Sequence, residues 1–440
     1  MRMCEGRSDD RIKNIAGILC LVLSLIGIIY LFGFTAGDDI WYDEVFSMGF
    51  IRGDIRDLIG LTAKDVHPPL YYIYLKAVCT VATALFGGSV LIPAAKAASI
   101  LPWAGSLILA CTVIRKRFGL FAAGFFMFLM TFMPQLGTYY LEIRMYSFAL
   151  LLITADILLA VTILCDDDRP GVVKWAGFCV LGILTAYTQY YACIAVIGLY
   201  AVMFVLTALD KSDHKRYMIK GICISALVSV VSYLPWIPVL LRQMGNISGN
   251  YWIQPLTLRS IPGCIKFVVL PVAYPEIMAY ASAVIMLIAI TVIAILFLRK
   301  KDKCGKMIVV LCLGPIVMTV ISGFILSLAG TPIFVYRYMI PAVGGLWLLV
   351  AFMTDKVTGA KWSILALCPF IFVGIMTVYG LRGEEGKKVE QMQHAKEVMD
   401  EIPQGADIIT NFDHVTAIMG YYRPDAKVYL YDAEIDRLIP

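Results

Sequence analysis

The sequence lacks most signatures of a soluble catalytic scaffold. Its 12 cysteines include no C-x-x-C pair. Neither a zinc site nor a disulfide framework is therefore supported, and thiols scattered through apolar runs suit small buried side chains. Charged residues make up only 16% of the chain and the net charge is +5. With no basic stripe, nucleic acid is excluded as a partner. No cofactor is called for, although a divalent metal stays open. No internal repeat is visible, which counts against a transporter built from duplicated halves. No cleavable leader is found either. The first apolar run, Ile15–Phe34, is longer than a signal core, and Phe34 stands where a small residue is needed if cleavage followed Ala36.

What is present is apolar. Hydrophobic residues make up 60% of the chain and the mean hydropathy is +0.80, against about 45–50% apolar residues in soluble domains. After Ile15–Phe34, apolar runs recur at Leu91–Ile114, Leu120–Met133, Tyr146–Leu164, Val172–Tyr190, Tyr191–Leu209, Ile219–Leu241, Ile277–Leu298, Met307–Leu328, Tyr338–Met353 and Trp362–Leu381. About eleven spans of roughly 20 residues describe an all-α polytopic membrane protein. Arg115-Lys116-Arg117, the segment Asp210–Lys220, the run Arg299–Lys303, and Lys356 with Lys361 fall in every second loop. Basic short loops stay in the cytoplasm, which places them with the N-terminus inside. The loop Asp166–Arg169 is the acidic exception. A crossing by Leu70–Phe86 would reverse every later loop, so this tyrosine-rich stretch with Lys76 reads as an interfacial helix. The first loop, residues 35–89, then lies outside, as do Pro134–Arg144, Arg242–Glu276 and Ala329–Arg337. Arg242–Glu276 is long enough to form a lid or rim, or an interfacial helix pair anchored by Tyr251 and Trp252.

Residues 1–381 form the membrane domain and 382–440 a small outer α/β cap. In the cap, Gly386–Glu401 reads as a helix. Asp407–Thr410 and Lys427–Tyr431 read as strands around a helical segment at His414–Tyr421. His394 and His414 read as surface residues.

Chemistry concentrates in the first loop. Asp43 and Glu44 close GDDIWYDE, and one of them could accept a proton from an acceptor hydroxyl. Two solvated loop acids are the ordinary alternative. His67-Pro68-Pro69 is stiff and sets His67 at the mouth of the following helix. Lys96 lies inside the second span, and Glu142 and Arg144 open the fourth in YYLEIRMYS. Cations at the rim of membrane helices default to function, and a phosphate at the outer interface accounts for Lys96 and Arg144 together. Snorkelling to headgroups is the alternative. Arg259, in the long outer loop, and Arg337, beside tyrosines at the tenth span, are further basic candidates. For Arg337, anchoring at the interface is the stronger competitor.

These residues carry a resemblance. Asp43-Glu44, HPPLYY at His67–Tyr72, LFGGS at Leu85–Ser89, EIRMYS at Glu142–Ser147, TQYYA at Thr188–Ala192 and RYMIPA at Arg337–Ala342 stand in this order. The chain resembles the GT-C membrane glycosyltransferases of the protein-O-mannosyltransferase and aminoarabinose-transferase type. The resemblance implies an integral protein of a bacterial plasma membrane that takes a sugar from a polyprenyl-phosphate donor, among membrane lipids, to an acceptor outside. It implies Asp43, with Glu44, as the catalytic base. It implies Lys96 and Arg144 as clamps for the lipid phosphate, and His67, Tyr139, Glu142, Gln189, Arg259 and Arg337 complete the set of substrate-binding candidates. The family usually has arginine at the Lys96 position, and lysine cannot form the planar fork. Gln189 replaces a frequent histidine and has no acid role. With one base and a phosphate leaving group, inversion is expected. The alternatives are a transporter or flippase, or a non-catalytic polysaccharide-assembly protein.

Overall fold

The computed structural model describes residues 2–35, 39–166, 168–211, 213–246, 253–273, 275–432 and 437–439. Helix dominates because apolar runs in hydrocarbon must satisfy their own backbone hydrogen bonds. The long helix α1 (Arg2–Thr35) is followed by α2 (Tyr42–Phe50), α3 (Ile55–Lys64) and α4 (Leu70–Phe86). One π turn, Ala110–Ile114, joins α5 (Leu91–Leu109) to α6 (Arg115–Phe118). Next come α7 (Leu120–Phe132), α8 (Leu136–Leu141), α9 (Tyr146–Cys165), α10 (Val172–Ala186), α11 (Tyr190–Leu209) and α12 (Lys215–Tyr233). Two short helices, α13 (Ile237–Asn246) and α14 (Ser260–Val269), precede α15 (Glu276–Leu298), α16 (Lys303–Ala329), α17 (Ile340–Val357) and α18 (Ala360–Asp400). The expected anchors Tyr251 and Trp252 lie outside the described residues.

Among the described residues, nine stretches are long and apolar enough to cross a membrane. Two further expected runs, Leu120–Met133 and Val172–Tyr190, form shorter apolar helices. With 13 and 15 residues, α7 and α10 reach about 20 and 22 Å at 1.5 Å per residue, short of a core about 30 Å thick. The path of α7 is completed by α8. A Cβ on Gly17 would lie 2.5 Å from the Leu120 carbonyl oxygen, and one on Gly27 would collide with the Phe132 ring. The two helices therefore run side by side in the same direction, and glycine lets their backbones touch. Gln135, with φ of 70°, is the one non-glycine residue of positive φ among those described. It breaks the helix before α8 resumes. Leu141, near the end of α8, then packs on Leu31 of α1 and Leu381 of α18. At the end of α10, the Tyr187 carbonyl accepts the Leu70 N–H of α4 at 3.1 Å.

The two ends of the bundle differ. At one, ion pairs knit the basic segments together: Lys13–Asp355 (3.2 Å), Arg117–Asp166 (2.7 Å), Lys174–Asp166 (2.8 Å) and Lys303–Asp210 (2.9 Å). The acidic exception in the loop pattern is thus the partner of two basic residues. At the other end stand α2 to α4, α8 and the cap. The cap is a three-stranded sheet with β1 (Asp407–Thr410) parallel to β2 (Lys427–Asp432), and β2 antiparallel to β3 (Arg437–Ile439). Helix α19 (Asp413–Tyr422) connects β1 to β2.

One expectation about the tail is corrected. The helix expected at Gly386–Glu401 is the outer end of the 41-residue α18, so the chain has no break at residue 381. His414 is exposed, as expected of a surface residue, and it has an aromatic partner. Its ring stacks on Tyr42 with centroids 3.5 Å apart and planes 16° from parallel. Nearby, the Tyr422 hydroxyl accepts the Ile40 N–H at 3.0 Å and donates to the Ile40 carbonyl at 3.3 Å. Lys396, on α18, forms an ion pair with Asp39. The cap is therefore fastened to the segment that leads into Asp43.

Candidate active site

The site is built around the first turn of α2. The Glu44 carboxylate accepts the Trp41 N–H at 3.1 Å, which caps the helix from its third position. Successive side chains on a helix point about 100° apart. The adjacent carboxylates therefore diverge. Asp43 turns to Arg337, with Nη1 3.2 Å from Oδ2, and to Arg144, with Nε 3.9 Å from the same oxygen. The Arg144 Nη1 also donates to the Asp43 carbonyl at 3.4 Å. Glu44 turns to Lys96, whose Nζ lies 3.1 and 3.2 Å from its two oxygens, and accepts the Ile143 N–H at 2.9 Å.

This arrangement differs from the one expected. Lys96 does not stand with Arg144. It neutralises Glu44, whose side chain is 1% exposed. Arg337, whose interfacial tyrosines favoured simple anchoring, supplies the second cation at Asp43. Two arginines and one carboxylate leave a formal excess of one positive charge there. Burial opposes the charge on Arg144, but Tyr72 and Asp43 beside it outweigh burial and raise its pKa further.

The turn between α8 and α9 places the E-x-R-x-Y residues. Glu142 lies between the two carboxylates' territories. Burial, then repulsion from Glu44, pushes its pKa to about 7, and one of its oxygens is buried without a hydrogen-bond partner. Tyr139 packs edge-on against Tyr146 with centroids 4.8 Å apart, and the buried Tyr146 hydroxyl has no hydrogen-bond partner. His67 Nδ1 lies 2.9 Å from Asp65 Oδ2. Burial lowers the His67 pKa against the pull of Asp65. Burial opposes the charge on Asp65 too, yet its hydrogen bond with His67 prevails and its pKa falls. Asp65 was not among the sequence candidates, although the spacing in DVHPP carried the signal.

Two candidates stand apart from this cluster. Gln189 is 2% exposed and caps α11 by accepting the Ala192 N–H at 3.2 Å. Arg259 is exposed at the start of α14. Beside the Glu44–Lys96 pair lies a cavity of about 250 Å³ bounded by Trp41, Glu142, Met392 and Ile418, with Lys388 from α18 at its edge. Lys388 belongs to the tail and was not singled out from sequence. Among the described residues, no three His, Cys, Asp or Glu side chains come together to hold a metal ion.

The architecture has a known counterpart. The structure matches ArnT from Cupriavidus metallidurans in the apo state with a TM-score of 0.61 at 11% sequence identity, covering 93% of this chain and 85% of that one. The chain has the GT-C fold. ArnT bound to undecaprenyl phosphate matches this GT-C chain with a TM-score of 0.58 at 12% identity, over the same 93% and 85%. An oligosaccharyltransferase from Archaeoglobus fulgidus matches at 0.41, 13% identity, 82% and 53%, too low to argue from. No family model and no curated protein matches the sequence.

Proposed function

We propose that the chain is an inverting glycosyltransferase that moves a sugar from a polyprenyl-phosphate donor to an acceptor hydroxyl. The observation that carries this reading is Asp43 held between Arg144 and Arg337 at one end of a GT-C bundle. The two guanidiniums offer planar forks to a phosphate that shares the site with the carboxylate. In the reaction, the acceptor oxygen attacks the anomeric carbon and the bond from that carbon to the phosphate oxygen breaks. The hydroxyl proton passes to Asp43, and the electron pair leaves on the lipid phosphate. The arginines hold the charge that develops there. A retaining route needs a second carboxylate as nucleophile. Glu44 is locked on Lys96 and turned away. The binding of ArnT to undecaprenyl phosphate supports a polyprenyl carrier. The basic loops at the opposite end support a cytoplasmic N-terminus and a site outside.

The test is transfer from a panel of labelled polyprenyl-phosphate sugars by the purified chain. Asp43→Asn keeps the shape but removes the base, so transfer should fall by about 10²–10⁴-fold with donor binding retained. Arg144→Ala and Arg337→Ala should instead weaken donor binding, each by about ten- to a hundredfold. Wild-type rates in Asp43→Asn would remove Asp43 from the chemistry. The same assay in sealed vesicles of known orientation reads the side.

A further inference from the structure

A second cavity, of mixed polar and apolar lining, lies at the far end of α2, away from Asp43. Its volume is about 280 Å³, and it sits between the end of α2, one face of α4 and Tyr421 of the cap. Arg52 and Lys76 line it, and no carboxylate does. The Lys76 Nζ is held by the carbonyls of Ile51 at 2.9 Å and Gly53 at 2.6 Å, which leaves one of its three donors. The Arg52 guanidinium lies 5.5 Å from the centre of the Tyr421 ring. Among the described residues, neither cation makes an ion pair. Two cations on one cavity with no carboxylate in its lining make it electropositive, although Arg52 is itself exposed to solvent.

Helix α4 shows which kind of anion. Lys76, Thr80 and Thr83 follow at spacings of four and three, and so share one face. Val81 and Leu85 lie on the opposite face and are 60% and 71% exposed. In a membrane protein, that apolar face meets acyl chains and the cation–hydroxyl stripe meets headgroups. We propose that the cavity between Arg52 and Lys76 binds a phosphate-bearing anion, supplied by an anionic phospholipid headgroup or by free phosphate. Such a ligand would join α2, α4 and the cap. The inference stands apart from the transferase reading, because its test reads binding alone.

The test is native mass spectrometry of the full chain in detergent, titrated with phosphatidylglycerol, phosphatidylcholine or inorganic phosphate. Wild type should retain phosphatidylglycerol over phosphatidylcholine. Arg52→Glu should lower retention about tenfold or more, as for a lost charge-assisted contact, and Arg52→Lys much less. Thr80→Glu, which leaves both cations in place but sets a carboxylate one turn from Lys76 to occupy the anion's position, should do the same as Arg52→Glu. If inorganic phosphate binds and displaces the lipid, the site takes a free anion. If it does not, the headgroup needs its chains, and the site is still an anion site. Equal retention of the two lipids overturns the proposal, as does retention of every probe unchanged in both glutamate variants.

Discussion

Asp43 and Glu44 are neighbours in sequence and have different work. Glu44 is buried, paired with Lys96, and bonded to the Trp41 and Ile143 N–H groups. Breaking a buried pair by removing one partner costs about 3–5 kcal/mol, whereas removing both is often neutral. Glu44→Gln should therefore lower the melting temperature sharply, and Glu44→Gln with Lys96→Met should recover most of the loss. Equal melting of the single variant and wild type would show that the pair does not hold the site. Glu142 gives a pH handle. Its folded pKa, about 7, lies above the ordinary 4.5. The stability tied to its protonated form is thus complete below pH 4.5 and lost as pH rises through about 7. Glu142→Gln should gain on wild type in thermal melts between pH 5 and pH 8, and a constant gap would contradict the shift. At this scale the residue types were legible and their pairing was not. Lys96, Arg144 and Arg337 all read as rim cations, but which carboxylate each one meets depends on side-chain direction, which spacing between distant segments does not encode.

Elements were more legible where one period dominates. The expected strand at Asp407–Thr410 matches β1, and Lys427–Tyr431 falls one residue short of β2. Most of the apolar runs became long helices. The misses have physical causes. Hydropathy marks depth in the membrane and not helix length, so the run Leu120–Met133 matches α7 but its shortness and the turn at Gln135 beyond it were not legible. A helix also has no reason to stop at a change of solvent, so the polar outer part of α18 read as a separate element. The grip of the cap on the segment leading into α2 was not legible, because such a contact lives in two hydroxyl bonds, one stacked ring pair and one ion pair. Tyr422→Phe removes both bonds to Ile40, at a cost of about 1 kcal/mol or a little more. Amide exchange at residues 39–44 should accelerate in this variant while exchange in α9 and α17 stays as in wild type. Unaltered exchange at 39–44 would mean the cap merely rests there.

At the scale of the whole molecule, the candidate site gathers segments around residues 43, 65, 142 and 337 with a lysine from the tail, all on one end of a bundle. One strut connects that end to the rest. Helix α18 has 41 residues and so measures about 60 Å, twice the hydrocarbon thickness. Its inner half packs on α1 and α15, and its outer half carries Lys388 to the cavity and Lys396 to Asp39. Such a rod works as a lever. One degree of tilt at its base moves the tip by about 1 Å, comparable to a displacement that costs a catalytic group much of its effect. Membrane helices tilt to match the bilayer they sit in. A change in bilayer thickness should therefore reach the candidate site through this rod, and transfer rates in bilayers of short and long acyl chains should differ where donor binding does not.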